Sequence, residues 1–269
     1  MIKFDYHTHT NHSFDSSATV DGMVQRAISL GLEEYAITDH IDFTWPDCRI
    51  ISPHGIAANV KAMQAAKERY ADQIKILVGV EFGLRPDCEE AAAKIAKAYD
   101  FDIVIGSMHE INGSDFYYPE LHKGRTKHEV FQLYFENALE TVIACDSFDI
   151  LGHLDYVERY ARFPDKTLHH ADYREIVDEI LKVIIRKDKG IEINTSGFAY
   201  GLGRTHPQVG IVKRYRELGG EIITVGSDTH KPENIAHSFD KAYEVLKEAG
   251  FNHITRFCKR KPILTPLKK

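Results

Sequence analysis

Short, almost continuously apolar runs alternate along the chain with longer segments whose apolar positions recur every three or four residues. IKFDY reads as a first strand. TVDGMVQRAISLG follows, with Val20, Met23, Val24, Ala27 and Ile28 on one helical face, Thr19 placed to cap the start and Gly31 to stop the end. The alternation continues through EYAIT and SPHGIAANVKAMQAAKERYAD, KILVGVEF and EEAAAKIAKAY, DIVIGSMH and TKHEVFQLYFENALETVIA, then DILGH and DYREIVDEILKVIIRKDKG. GIEINTS precedes a glycine-rich loop and the helix QVGIVKRYRELGG. EIITVGSD precedes NIAHSFDKAYEVLKEAG, and ITRFC is expected to add a closing strand. Near-continuous Ile/Val strands suit a parallel sheet buried on both faces. Strand-helix pairs in succession imply either an open doubly wound sheet or a closed barrel. With no low-complexity linker or charge block, residues 1–269 are expected to form one domain.

Composition adds exclusions. A formal net charge of -6 gives no basic footprint for nucleic acid. No apolar run approaches the ~20 residues needed to cross a bilayer, and Lys3 and Asp5 interrupt any leader-like core, so a cytoplasmic protein is expected. Cys48, Cys88, Cys145 and Cys258 are widely spaced and match neither a disulfide framework nor a zinc ribbon; four free thiols are the expectation. The tail CKRKPILTPLKK reads as a solvated terminus, and the Tyr/Phe face of FQLYFENAL as core. GLGR lacks the strand-to-helix context of a nucleotide loop.

The fifteen histidines change the picture, because many of them fall at strand ends. His7 and His9 close the first strand; two apart, they share a face. Asp39 and His40 end the second, Glu81 the third, His109 and Glu110 the fourth, His153 and Asp155 the fifth, Asn194 the sixth, and Asp228 and His230 the seventh. In a parallel barrel those ends converge on one mouth. Ionisable groups gathered there need a counter-charge, and His with Asp/Glu suits zinc, manganese or iron. His54, His122, His128, His169, His170, His237 and His253 lie elsewhere and are expected to be solvated or locally bonded.

An N-terminal HTH, then TDH, the Glu of VEF, SMHE, GHLD and GSDTH in this order resemble the polymerase and histidinol phosphatase (PHP) family across nearly the whole chain. The length resembles its stand-alone phosphatase branch. The resemblance implies a distorted seven-stranded (β/α) barrel of parallel strands and a site for three divalent ions. It implies His7, His9 and Asp228 as ligands of the first ion, and Glu81 as the bridge to a second completed by His109 and His153. His40, His230 and Asp15 would hold the third, with His12 as the alternative to Asp15. Open coordination positions would allow a metal-held hydroxide to attack a phosphate monoester, L-histidinol phosphate in the main reading, and another monoester such as a nucleotide or an oligonucleotide end in the alternative.

Phosphate invites arginine. Arg159 and Arg204 on rim loops, with Arg162 as a third, are the candidates, and Glu110 could face a substrate ammonium. His206, or else Asp228 or a metal-bound water, could protonate the leaving oxygen. An amidohydrolase-type barrel and a catalytically silent metal-binding module compete with this reading. The first would normally carry a strand-borne lysine where this chain has Glu81, and the second should have lost ligands that are all present here.

Overall fold

The computed structural model describes residues 2–111, 113–116 and 118–267. From the N-terminus, β1 (Phe4–Asp5) leads to α1 (Val20–Ser29), β2 (Glu34–Ile37), β3 (His40–Phe43), β4 (Ile50–Ile51) and α2 (Ile56–Arg69). Next come β5 (Lys75–Gly83), α3 (Glu89–Ala98), β6 (Ile103–Ser107), the short β7 (Glu110–Ile111) and β8 (Ser114–Asp115), and α4 (Lys127–Ala144). The chain continues through β9 (Ile150–Leu151), α5 (Arg174–Arg186), β10 (Gly190–Asn194), the one-turn α6 (Ser196–Ala199) and α7 (Val209–Glu217). It ends with β11 (Ile223–Gly226), α8 (Phe239–Glu248), β12 (His253–Cys258) and β13 (Lys261–Pro266).

Parallel strands pair in the order β1-β2-β5-β6-β9-β10-β11. The two ends of that order then meet: Tyr6 N donates to Val225 O at 3.2 Å, Asp228 N donates to His7 O at 2.7 Å, and Thr8 bridges Thr229. The sheet therefore closes, and a distorted (β/α)7 barrel replaces the open alternative. Its strands are buried on both faces, as their apolar runs require. The helices turn one face inward; in α5, Val177, Ile180, Leu181 and Ile184 are buried at i, i+3, i+4 and i+7. Thr19 caps α1 by accepting from Gly22 N, and Gly31 ends it in the left-handed region at φ 67°.

One distortion matters for function. The second strand is interrupted at Thr38–Asp39 and resumes as β3, which pairs in parallel with β5 so that His40 stands opposite Glu81. Buried Asp39 holds this break by accepting from Thr10 N, Thr10 Oγ1 and Ser13 Oγ.

Three expectations fail. ITRFC does not close the barrel; β12 pairs antiparallel with β13, inside the tail expected to be a solvated terminus. The turn between them is anchored by Arg260 on Asp149 and by Lys259 N on Asp102, residues that lead into β9 and β6, so the hairpin covers the N-terminal ends of the strands. The cysteines are not all free: Cys48 and Cys88 form a disulfide, leaving Cys145 and Cys258 as thiols. Forty residues separate the pair, and only the folding of β3–β4 back toward Pro86–Cys88 brings them together. Among the described residues, no helix is long and apolar enough to cross a membrane.

The barrel closes tightly around Gly190, where an added Cβ would lie 2.3 Å from Ile222 O and 2.7 Å from Ile150 Cδ1. Gly190→Ala is expected to destabilise the fold by about 1–3 kcal/mol, read as a lower urea midpoint. An unchanged midpoint would contradict this packing.

Candidate metal centre

One carboxylate organises the mouth of the barrel. Glu81, wholly buried on β5, directs Oε2 toward His40 Nδ1 (2.8 Å), His7 Nε2 (3.2 Å) and His9 Nε2 (3.6 Å). Its Oε1 faces His153 Nε2 (3.1 Å) and His109 Nε2 (3.3 Å). Asp228 Oδ1 lies 3.3 Å from His9 and 3.8 Å from His7. On the outer side, Asp15 Oδ2 approaches His230 Nε2 (3.0 Å) and His40 Nε2 (3.7 Å). His12 is elsewhere, its ring against His54.

The ligand atoms of His7, His9 and Glu81 lie within 4.8 Å of one another, as do those of Glu81, His109 and His153, and of His9, His40 and His230.

Outer partners fix each ring. His7 Nδ1 lies 2.8 Å from Glu192 Oε1, and His109 Nδ1 lies 2.9 Å from Asp42 Oδ1. His9 Nδ1 lies 3.1 Å from Ser13 Oγ, whose proton goes to Asp39. With Nδ1–H donating outward in each case, the Nε2 lone pair points into the cluster. Those lone pairs then face carboxylate oxygens, which is repulsive unless a proton or a cation lies between.

Protons satisfy only part of the cluster. Burial would lower His7, but Glu192, Glu81 and Asp228 lift it well above the usual imidazole range. Burial likewise opposes Asp42 and Glu81 at His109, and they push it up to about 10. Burial and the neighbouring His40 and His230 hold His9 far below that range, and burial lowers His153 too. His7 Nε2, His9 Nε2, His40 Nδ1, His230 Nε2 and Glu81 Oε2 are buried without a hydrogen-bond partner. Divalent transition-metal ions satisfy these atoms together, and the donor set fits them. Asp228 is held in the left-handed region at φ 51°, strain of a kind common at such sites.

Two cavities open on the cluster. The larger, about 490 Å³, is lined by His40, Asp42, Phe43, Ile51, Arg85, His109, Glu110, Asp115, Tyr156 and Tyr160, among others. Glu110 lies 3.3 Å from Arg85 in this cavity. Burial pushes its carboxyl up, and Arg85 offsets this only in part. The smaller, about 230 Å³, includes Ser196, Tyr200, Asp228 and His230. Arg159 reaches Asp228 Oδ2 at 3.3 Å between the rings of Tyr156 and Tyr200, its Nε without a partner.

The other candidates sit apart. Arg204 is turned to buried Glu158, and Arg162 lies near His122. His206 is fully buried, bonded through Nδ1 to Asp155. Asn194 holds Glu192 and Ser196, and Asp39 orients Ser13 and Thr10, so neither faces the cluster as a ligand. Asp42 and Glu192 were not singled out from the sequence. Their only signals were a carboxylate two residues beyond His40 on the same strand face, and a glutamate inside an otherwise apolar strand.

Residues 5–196 match the family model described as the PHP domain. A histidinol-phosphatase from Lactococcus lactis is 33% identical over 265 residues, covering 96% of this chain and 95% of the relative. A chain named "Probable histidinol-phosphatase" from Clostridium acetobutylicum is 31% identical over 257 residues, 93% and 95% of the two chains. A crystal structure of the histidinol phosphate phosphatase from Lactococcus lactis, complexed with zinc, L-histidinol and phosphate, superposes with a TM-score of 0.88 at 32% identity, covering 97% of this chain and 98% of that one.

Glu192→Ala removes the group that fixes the His7 ring. It is expected to lower metal affinity about 10–100-fold in competition with a chelator. Unchanged affinity would contradict the orienting role.

Proposed function

The chain belongs to the PHP family, and on that premise we propose that it is a metal-dependent phosphatase that hydrolyses L-histidinol phosphate to L-histidinol and inorganic phosphate. The observation that carries this reading is the Glu81 carboxylate shared between two sets of imidazoles, with Arg159 beside Asp228 at the edge of the cluster. Zinc, L-histidinol and phosphate in the structure of the Lactococcus lactis relative support it.

Three ions are the full complement in this reading. His7, His9 and Asp228 would hold the first, His109 and His153 the second, with Glu81 between them, and His40, His230 and Asp15 the third. When bound, such ions neutralise charge on phosphoryl oxygens and acidify water near neutral pH.

The chain's own residues do the rest. Arg159, fixed between two tyrosine rings beside Asp228, would offer its guanidinium to a non-bridging phosphate oxygen. Burial would raise the Asp228 carboxyl, but His7, His9 and Arg159 keep it ionised, so it can accept a hydrogen bond from the attacking water and orient it. Glu110, with Asp42 and Asp115 in the same cavity, gives the alcohol portion an acidic wall that suits a cationic amino alcohol. His206 has no part in proton transfer in this reading, because it is fully buried and turned to Asp155.

Phosphate release from histidinol phosphate, p-nitrophenyl phosphate and nucleoside monophosphates in one metal-loaded preparation tests the substrate. A kcat/KM at least ~100-fold higher for histidinol phosphate is expected; equal or better turnover of nucleotides would overturn the assignment. Arg159→Ala is expected to cut kcat/KM for histidinol phosphate about 10²–10³-fold at unchanged metal content. A loss below about threefold would remove Arg159 from phosphate binding.

A further inference from the structure

The β3–β4 hairpin contributes Asp42, Phe43 and Ile51 to the larger cavity. Its outer half is thinly held. Ile50 and Ile51 are 47% and 38% exposed, and Trp45 is 49% exposed. Arg85 donates to Phe43 O at 3.0 Å and lies 4.8 Å from the Trp45 ring, which rests on the backbone of Gly113. A further tie is covalent: partly exposed Cys48 is bonded to buried Cys88, at the end of the Pro86–Cys88 turn that follows Arg85. The disulfide thus joins two segments that both line the cavity. It does not touch the pairing of His40 with Glu81, which positions the imidazole side of β3.

We propose that the Cys48–Cys88 disulfide is a redox-controlled staple for one wall of the substrate cavity. Its reduction weakens binding of esters with a bulky alcohol portion and spares hydrolysis of small esters. The proposal rests on the phosphatase reading above. The reductant is a dithiol of the thioredoxin class. One of its thiolates attacks Cys48 Sγ, and Cys88 Sγ leaves with the bonding pair and takes a proton. The reductant's second thiol, as thiolate, then attacks its own sulfur in the mixed disulfide and frees Cys48 as a thiol. The chain gains two electrons and two protons, and the dithiol becomes a disulfide. Loosened, the outer half of the hairpin no longer keeps Ile51 against the alcohol portion, while Asp42 stays on β3 against His109 and the groups around Glu81 stay on barrel strand ends.

Metal-loaded wild-type enzyme, before and after reduction by a thioredoxin-class protein, is compared with Cys48→Ser/Cys88→Ser, which needs no reductant. Alkylation in denaturant before reduction should modify two of the four cysteines. In the reduced enzyme and the double variant alike, amides of residues 44–52 should exchange at least ~10-fold faster. KM for histidinol phosphate should rise at least ~5-fold, with kcat for p-nitrophenyl phosphate within ~2-fold. The variant should not respond to the reductant. Four alkylated cysteines before reduction would overturn the staple, as would unchanged exchange and KM without the bond. A parallel loss of p-nitrophenyl phosphate turnover would reduce the disulfide to a general stabiliser and also overturn it. If the oxidised enzyme does not hydrolyse histidinol phosphate, the functional reading falls, and the exchange measurement still decides the staple.

Discussion

Five imidazoles crowd one buried carboxylate, and the architecture of the mouth follows from making that arrangement tolerable. A carboxylate withdrawn from water costs several kcal/mol unless it is compensated. Glu81 lies within 3.6 Å of five imidazole nitrogens, and their lone pairs or protons must be reconciled with its charge. Burial would raise the Glu81 carboxyl, yet His7, His40 and His109 hold it far below the usual range. Protonated rings alone would stack like charges at 4–6 Å, as in the His9–His40 and His9–His230 pairs at 4.2 Å between ring centres. Divalent cations held by the imidazole nitrogens and the Glu81 carboxylate would remove the conflict.

The barrel makes the convergence possible. Parallel strands place their C-terminal ends on one rim, so residues from His7 to His230 can meet although more than two hundred positions separate them. The second strand resumes beyond Asp39 in the same register on β5, and that register sets His40 opposite Glu81. Around this inner set runs an outer layer: Glu192 on His7, Ser13 and Asp39 on His9, Asp42 on His109. Each decides which nitrogen faces inward. Because most of these groups sit on strands or just beyond their ends, the centre is held rigidly, and the proposed reading leaves substrate choice to the hairpins and loops around the larger cavity.

Much of this was legible in the sequence. Buried parallel strands produce unbroken apolar runs, so β5, β6, β10 and β11 stood out, and the ligand-type residues stood out because each closes such a run. Partners were harder to read. Arg204 carries the same charge whether it meets phosphate or Glu158, and only the folded loop brings Glu158 to it. Glu192 and Asp42 became orienting groups through contacts 185 and 67 residues away in sequence. The β3–β4 and β12–β13 hairpins were missed because β4 is exposed, and β13 is largely so, leaving no buried period to read. The Cys48–Cys88 bond depends on one of those hairpins and was hidden with it.

Elemental analysis of the protein, purified without chelator and compared with its Glu81→Ala variant, tests the central claim most directly. About three divalent transition-metal ions per chain are expected in the native protein and a marked loss in the variant, with the fold retained by circular dichroism. A native protein that holds only traces of metal after incubation with zinc, manganese or iron would contradict it.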